Sequence, residues 1–129
     1  AERMKMRNEH IVPLSKQALD ILHDLKERNE KWEWIFPGHH SKRKHMSNNT
    51  ILKGIDRLGF KGRMTGHGFR ALAMSTIKEK LNYRHEVIDR QLAHAPKSMV
   101  QRAYDRAQFL DERKVMMQDW ADYLDSVKK

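Results

Sequence analysis

Leu14, Ala18, Ile21, Leu22 and Leu25 form one apolar stripe at helical spacing, and Ser15 stands where an N-cap would open that helix. The next stretch, KWEWIFPGHHSKRKH, loses the period, and Pro37–Gly38 marks a turn. Its Trp32, Trp34, Ile35 and Phe36 are expected in the core or on an edge strand. The period then returns. Ser47 or Asn48 opens a second helix that buries Ile51, Leu52, Ile55 and Leu58 and ends at Gly59. A third is predicted from Thr65 or Gly66 to about Leu81, burying Phe69, Leu72, Ala73, Thr76 and Ile77. His85 to Leu92 reads as a short fourth helix, and Met99 to Tyr104 as a fifth after the break at Pro96. From Phe109 onward the chain is amphipathic, with Phe109, Met116, Trp120, Leu124 and Val127 on one side. Met4 to Leu14 also departs from helical spacing. MKMRNEHIVPL alternates in part, and its β-branched Ile11–Val12 pair stops at Pro13, which predicts a hairpin with Asn8–Glu9 near the tip. The pattern predicts one mainly α domain with a small β-hairpin or sheet, an α+β architecture.

Composition narrows the function classes. The 129 residues are one domain's worth of chain, and 33% of them are charged. No run of 18 apolar residues exists, so no membrane partner is expected. There is no cysteine, which excludes disulfides and thiolate metal sites and fits a cytoplasmic protein. The net charge of +9 is unevenly placed. Residues 39–70 hold eight Lys/Arg against one acid, Asp56, whereas the other 97 residues hold 18 bases and 16 acids. A concentrated basic segment suits a phosphate surface, because each neutralised phosphate releases condensed counterions. Lys42, Arg43, Lys44, Lys53, Arg57, Lys61 and Arg63 are its candidate DNA contacts. The alternative is a solvated basic face with no partner.

Four short patterns carry candidate chemistry. In TGHGFR, His67 and Arg70 are spaced i, i+3 at a predicted helix start, which puts both on one face where a phosphate is also favoured. His94 lies in QLAHAP at a helix end, Tyr104 sits between Arg102 and Arg106, and Lys5 precedes IVPLS. Taken singly, each has a plain structural explanation. His-x-x-Arg recurs at His40 and Arg43, His94 suits a cap, Tyr104 suits packing, and Lys5 suits a strand charge.

In order, with gaps of 62, 3, 24 and 10 residues, Lys5, His67, Arg70, His94 and Tyr104 resemble the motifs of the tyrosine recombinase (phage integrase) family, in its C-terminal catalytic domain. The wording is similar to integrases of prophages and genomic islands. The resemblance implies site-specific recombination of double-stranded DNA at an attachment site, through a 3′-phosphotyrosine link. Tyr104 would be the nucleophile. Arg70 and His94 would donate to the non-bridging oxygens, and His67 would orient the phosphate or accept the tyrosine proton. Lys5 would protonate the leaving 5′-oxygen. Charge on a pentavalent transition state asks for such fixed donors. No metal or other cofactor is expected when fixed cations supply the charge. The His39, His40 and His45 group reads as a basic loop against phosphate more readily than as a zinc site. Arg102 and Arg106 read as phosphate-positioning or surface residues.

Two departures stand out. Ala93 occupies a position where the family usually has glycine, and is discounted as another small residue. The family's first catalytic arginine lies upstream of the hairpin lysine, so residues 1–129 are expected to be a partial catalytic domain. The first-arginine helix, core-binding domain and arm-binding domain would be absent, with the fragment alone weak or inactive. A tetramer on DNA and a monomeric fragment in solution follow from the same resemblance. The tail helix packs on its own domain or on a neighbouring protomer. Two other functions compete: a DNA-binding module without catalysis, and a type IB topoisomerase relative.

Overall fold

The computed structural model describes residues 10–93 and 109–128. The hairpin residues Met4 to Glu9, the Met99–Tyr104 helix, and Lys5, His94, Tyr104, Arg102 and Arg106 lie outside them. The described chain is mainly helical, in five α-helices: α1 (Lys16–Arg28), α2 (Thr50–Ile55), α3 (Gly66–Lys80), α4 (His85–Gln91) and α5 (Leu110–Val127). None of them is long and apolar enough to cross a membrane.

The expected β element is not found among the described residues. Residues 10–15 carry no strand, and the sole β pairing there is an isolated antiparallel bridge between Pro37 and His45. The partner strand predicted for Ile11–Val12 falls on Met4 to Glu9, outside the described residues, and an unpaired extended segment is not a sheet.

The chain divides into two compact units, residues 16–76 and residues 1–15 with 77–129. In the first, α1 is closed by Asn29. Its amide N–H donates to Leu25 O at 3.1 Å, while its side-chain Nδ2 donates to Leu25 O at 3.0 Å and Ile35 O at 3.1 Å. The side chain therefore binds the end of α1 to the aromatic segment. α2 continues into a π-helical turn (Asp56–Phe60) whose helical backbone breaks at Gly59, where φ is +83°. A left-handed residue at a helix end is what glycine adopts without a Cβ penalty.

Burial in this unit is sparser than the stripes predict. Of the α2 and α3 residues that belong to it, only Ile55 is buried. Ile51, Leu52, Leu58, Phe69 and Leu72 are exposed, Leu58 by 75%. Ile21 is exposed as well, no residue of α1 is buried, and Leu14, which belongs to the other unit, is also exposed. Periodicity marks the face a helix can bury; it does not supply the surface that covers it. Trp32, Trp34, Ile35 and Phe36 are neither core nor strand. All four are partly exposed, and Trp34, Ile35 and Phe36 line an open hollow of about 440 Å³ with Glu33, His45 and Met46.

The second unit has the denser centre. Ile77 at the end of α3, Val87 and Ile88 on α4, and Met116 on α5 are buried. α3 ends before Asn82, a residue type tolerated at its φ of +56°. The link to α4 is fastened to α5 by side chains. Tyr83 Oη donates to Asp119 Oδ2 at 2.5 Å, and Arg84 grips Glu112 through Nε at 3.3 Å and Nη2 at 2.6 Å. The Arg84 guanidinium also lies 5.4 Å from the Phe109 ring centre. Along α5, Met116 is buried as expected, but Leu124 and Val127 near its end are exposed.

Candidate functional site

Local sequence explains where His67 and Arg70 stand. Thr65 Oγ1 accepts the Gly68 amide N–H at 3.0 Å, the N-cap to N3 bond that satisfies a first-turn donor. Gly68 permits a close approach, since a Cβ there would come within 2.8 Å of Met64 Sδ. His67 is thereby carried in the first turn of α3, exposed to solvent, and Arg70 one turn further on, half-buried. Amides of a helix start, an imidazole and a guanidinium on the same end of one helix can converge on an anion.

The seven candidate DNA contacts are all exposed. Lys42, Arg43 and Lys44 sit on the loop closed by the Pro37–His45 bridge, Lys53 on α2, Arg57 in the π-helical turn, and Lys61 and Arg63 before α3. Arg63 stacks its guanidinium 5.6 Å from the Phe60 ring centre. No ion pair engages these seven among the described residues. Cations left unneutralised by their own protein keep their field for an external anion.

The basic loop is held from inside. Gly38 N–H donates to Lys44 O at 2.7 Å, Lys44 N–H to Ser41 O at 3.2 Å, and Met46 N–H to Phe36 O at 2.8 Å. Trp34 Nε1 donates to the Arg43 carbonyl at 3.2 Å, and its ring meets that of His45 edge-on at 5.5 Å. Trp34 is thus a brace for the basic loop. His39 and His40 pack ring against ring at 5.1 Å, and no cluster of three metal-ligating side chains occurs among the described residues.

His67 and Arg70 are brought together on α3. Lys5, His94 and Tyr104 lie outside the described residues, but the residue before His94 has a definite conformation. Ala93 follows α4 with φ of +51°, in the left-handed region. Handedness, and not small size, is what glycine would contribute at that position.

Three features escape a reading of the sequence. Tyr83 is pushed up to about 12 by burial first and by its hydrogen bond to Asp119 second. Arg113 is wholly buried in α5, donating from Nε to Gln91 Oε1 at 2.8 Å and from Nη2 to Ile11 O at 2.5 Å. Burial, then the charge of Arg90, holds its guanidinium below the usual arginine range. His10 Nε2 lies 3.2 Å from Gln91 O, a second tie between the same segments. One signal was present: Arg113 falls four residues after Phe109 and three before Met116, inside the apolar stripe.

Comparison with known proteins places the sequence in a family. Residues 2–110 match the model of the phage integrase family. The chain belongs to that family. It is 44% identical over 125 residues to the integrase of Enterobacteria phage P4, covering 95% of this chain and 28% of that protein. Prophage integrase IntZ of Escherichia coli (strain K12) is 41% identical over 127 residues, covering 98% of this chain and 31% of IntZ. The integrase of Shigella phage Sf6 is 40% identical over 126 residues, covering 97% of this chain and 32% of that protein. The chain therefore spans about a third of the length of these relatives. No solved structure matches it.

Proposed function

We propose that this chain is the tyrosine-bearing part of a site-specific DNA recombinase, acting in integration or excision of a mobile element. The observation that carries the reading is the start of α3, where exposed His67 and half-buried Arg70 stand one turn apart beside a capped helix N-terminus. The exposed cations from Lys42 to Arg63, paired with no acid among the described residues, belong to the same unit and support a DNA backbone as the ligand.

In this reading the Tyr104 oxygen attacks the scissile phosphorus as its proton leaves, with His67 accepting the proton or orienting the phosphate. The bond from phosphorus to the 5′-oxygen breaks, and Lys5 delivers a proton to that oxygen. Arg70 and His94 hold the non-bridging oxygens as charge builds on them. Phosphodiester energy is kept in the tyrosyl ester, so a 5′-hydroxyl from another strand can reverse the step. Tyr83 is a poor substitute nucleophile. Its proton is committed to Asp119, and its ionisation is displaced to about pH 12. Pairing of DNA sites calls for several copies, and a tetramer on DNA is the assembly proposed for the whole protein.

The test uses the full gene product and a nicked duplex carrying the attachment site of its own element. A denaturing gel should show a covalent adduct that disappears in Tyr104→Phe and Arg70→Ala. Salt-sensitive binding with no adduct from the unaltered protein would leave a DNA-binding module, the second reading that the basic surface supports. Relaxation of supercoiled plasmid without any site would favour a type IB topoisomerase.

A further inference from the structure

Lys5 is far in sequence from His94 and Tyr104, yet described residues close to each of the three in the chain meet at one side chain. Ile11 lies six positions after Lys5, Gln91 three before His94, and Arg113 nine after Tyr104. Arg113 sits at the first turns of α5, wholly buried, and donates to both Gln91 Oε1 at 2.8 Å and Ile11 O at 2.5 Å. We propose that Arg113 is a positioning residue, whose guanidinium fixes, relative to α5, the points from which the Lys5 and His94 segments depart. The role rests on the recombinase reading.

Stability alone does not account for arginine at this place. The neighbouring stripe residue, Met116, is fully buried, and an apolar side chain at 113 would continue the stripe without desolvating a charge. Buried ion-sized groups cost several kcal/mol unless their donors are matched. What arginine adds is a planar fork whose N–H groups point in fixed, different directions, so one side chain can hold two acceptors from distant segments at once. Among the described residues its acceptors include a side-chain amide and a main-chain carbonyl, and the His10 to Gln91 contact reinforces the same junction. Lysine has no such fork and cannot hold both acceptors in the same geometry. Gln91 in turn cannot be replaced by an apolar residue without leaving a buried donor unmet.

The experiment compares Arg113→Lys, Gln91→Leu and Gln91→Glu in the full gene product on the nicked attachment-site duplex. Single-turnover adduct formation is measured beside non-covalent DNA affinity, thermal unfolding and amide hydrogen exchange. Arg113→Lys and Gln91→Leu should slow the adduct by roughly 10- to 100-fold, as expected when reacting groups are misplaced, with DNA affinity unchanged. Exchange should quicken at residues 10–14 and 91–93. Gln91→Glu, which keeps an acceptor oxygen at Oε1, should restore the rate. If Arg113→Lys does not fold, the two Gln91 variants carry the test. Wild-type rates in folded Arg113→Lys or Gln91→Leu would overturn the proposal, as would Gln91→Glu as slow as Gln91→Leu. An unaltered protein that forms no Tyr104-dependent adduct would sink the recombinase reading and this role with it.

Discussion

Tyr83 donates its phenolic proton to Asp119 Oδ2 at 2.5 Å, across 36 residues of sequence, and so fastens the link before α4 to the middle of α5. Burial and the carboxylate both oppose ionisation, displacing it from 10.0 to about 12. The folded chain thus keeps a proton that the unfolded chain would lose. Stability from this group is complete below about pH 10 and is lost as the pH rises toward 12. Tyr83→Phe should show a shallower decline in urea-unfolding stability across that window. An equal slope in both proteins would refute the contact. Absorbance titration should show one tyrosine ionising late, and the late step should vanish in the variant.

Ala93→Gly should stabilise the protein. A left-handed conformation costs an L-residue about 1–2 kcal/mol, and glycine's extra freedom in the unfolded chain returns part of the gain. A net increase of about 0.5–1 kcal/mol is expected, read from the denaturant midpoint at unchanged slope. A loss of stability would show that Ala93 is not strained.

Thr65→Ala removes the acceptor of the Gly68 amide and should cost about 1 kcal/mol, as lost N-caps do. Thr65→Ser keeps the oxygen and should remain close to the parent. Because His67 and Arg70 ride on the capped turns, Thr65→Ala should also slow adduct formation more than it weakens DNA binding.

Much of the helical layout was legible because it depends on local chemistry. Thr65 and Gly66 announce the start of α3, Gly59 the stop before it, and the stripe through Met116 the course of α5. The pairing of His67 with Arg70 needed only helical spacing. What escaped depends on partners distant in sequence. Phe69 and Leu72 read as core by period but are exposed, since period says nothing of what lies opposite. Trp34 reads as core by type, but its indole N–H is spent on the Arg43 carbonyl. Arg113 falls inside the apolar stripe, but its role depends on Gln91 and Ile11, which are distant in sequence. Ala93 was legible as small, while its left-handed φ was not.

Gly38→Ala should be among the more damaging single-methyl changes. A Cβ there would lie 2.8 Å from Ser41 O, 3.2 Å from Lys44 O and 3.3 Å from His45 O, all main-chain atoms of the basic loop. Backbone cannot step aside as a flexible side chain does, so a cost of about 1–3 kcal/mol is expected. Weaker DNA binding should accompany it. Unchanged melting and unchanged affinity would mean that the loop opens freely.

The basic loop also allows a quantitative test of the phosphate surface. Lys42, Arg43 and Lys44 are exposed and engaged by no acid among the described residues, so removing them should barely affect folding. Each cation that neutralises a phosphate contributes about 0.9 to the negative slope of log K against log salt on duplex DNA. The triple change to alanine should therefore flatten that slope by up to roughly 3, with affinity reduced most at low salt. Binding to specific and unrelated duplexes should weaken alike, because phosphate contacts position the protein without reading bases. A triple variant with an unaltered slope would move the DNA away from this loop. A loss confined to the attachment site would mean that the loop reads sequence.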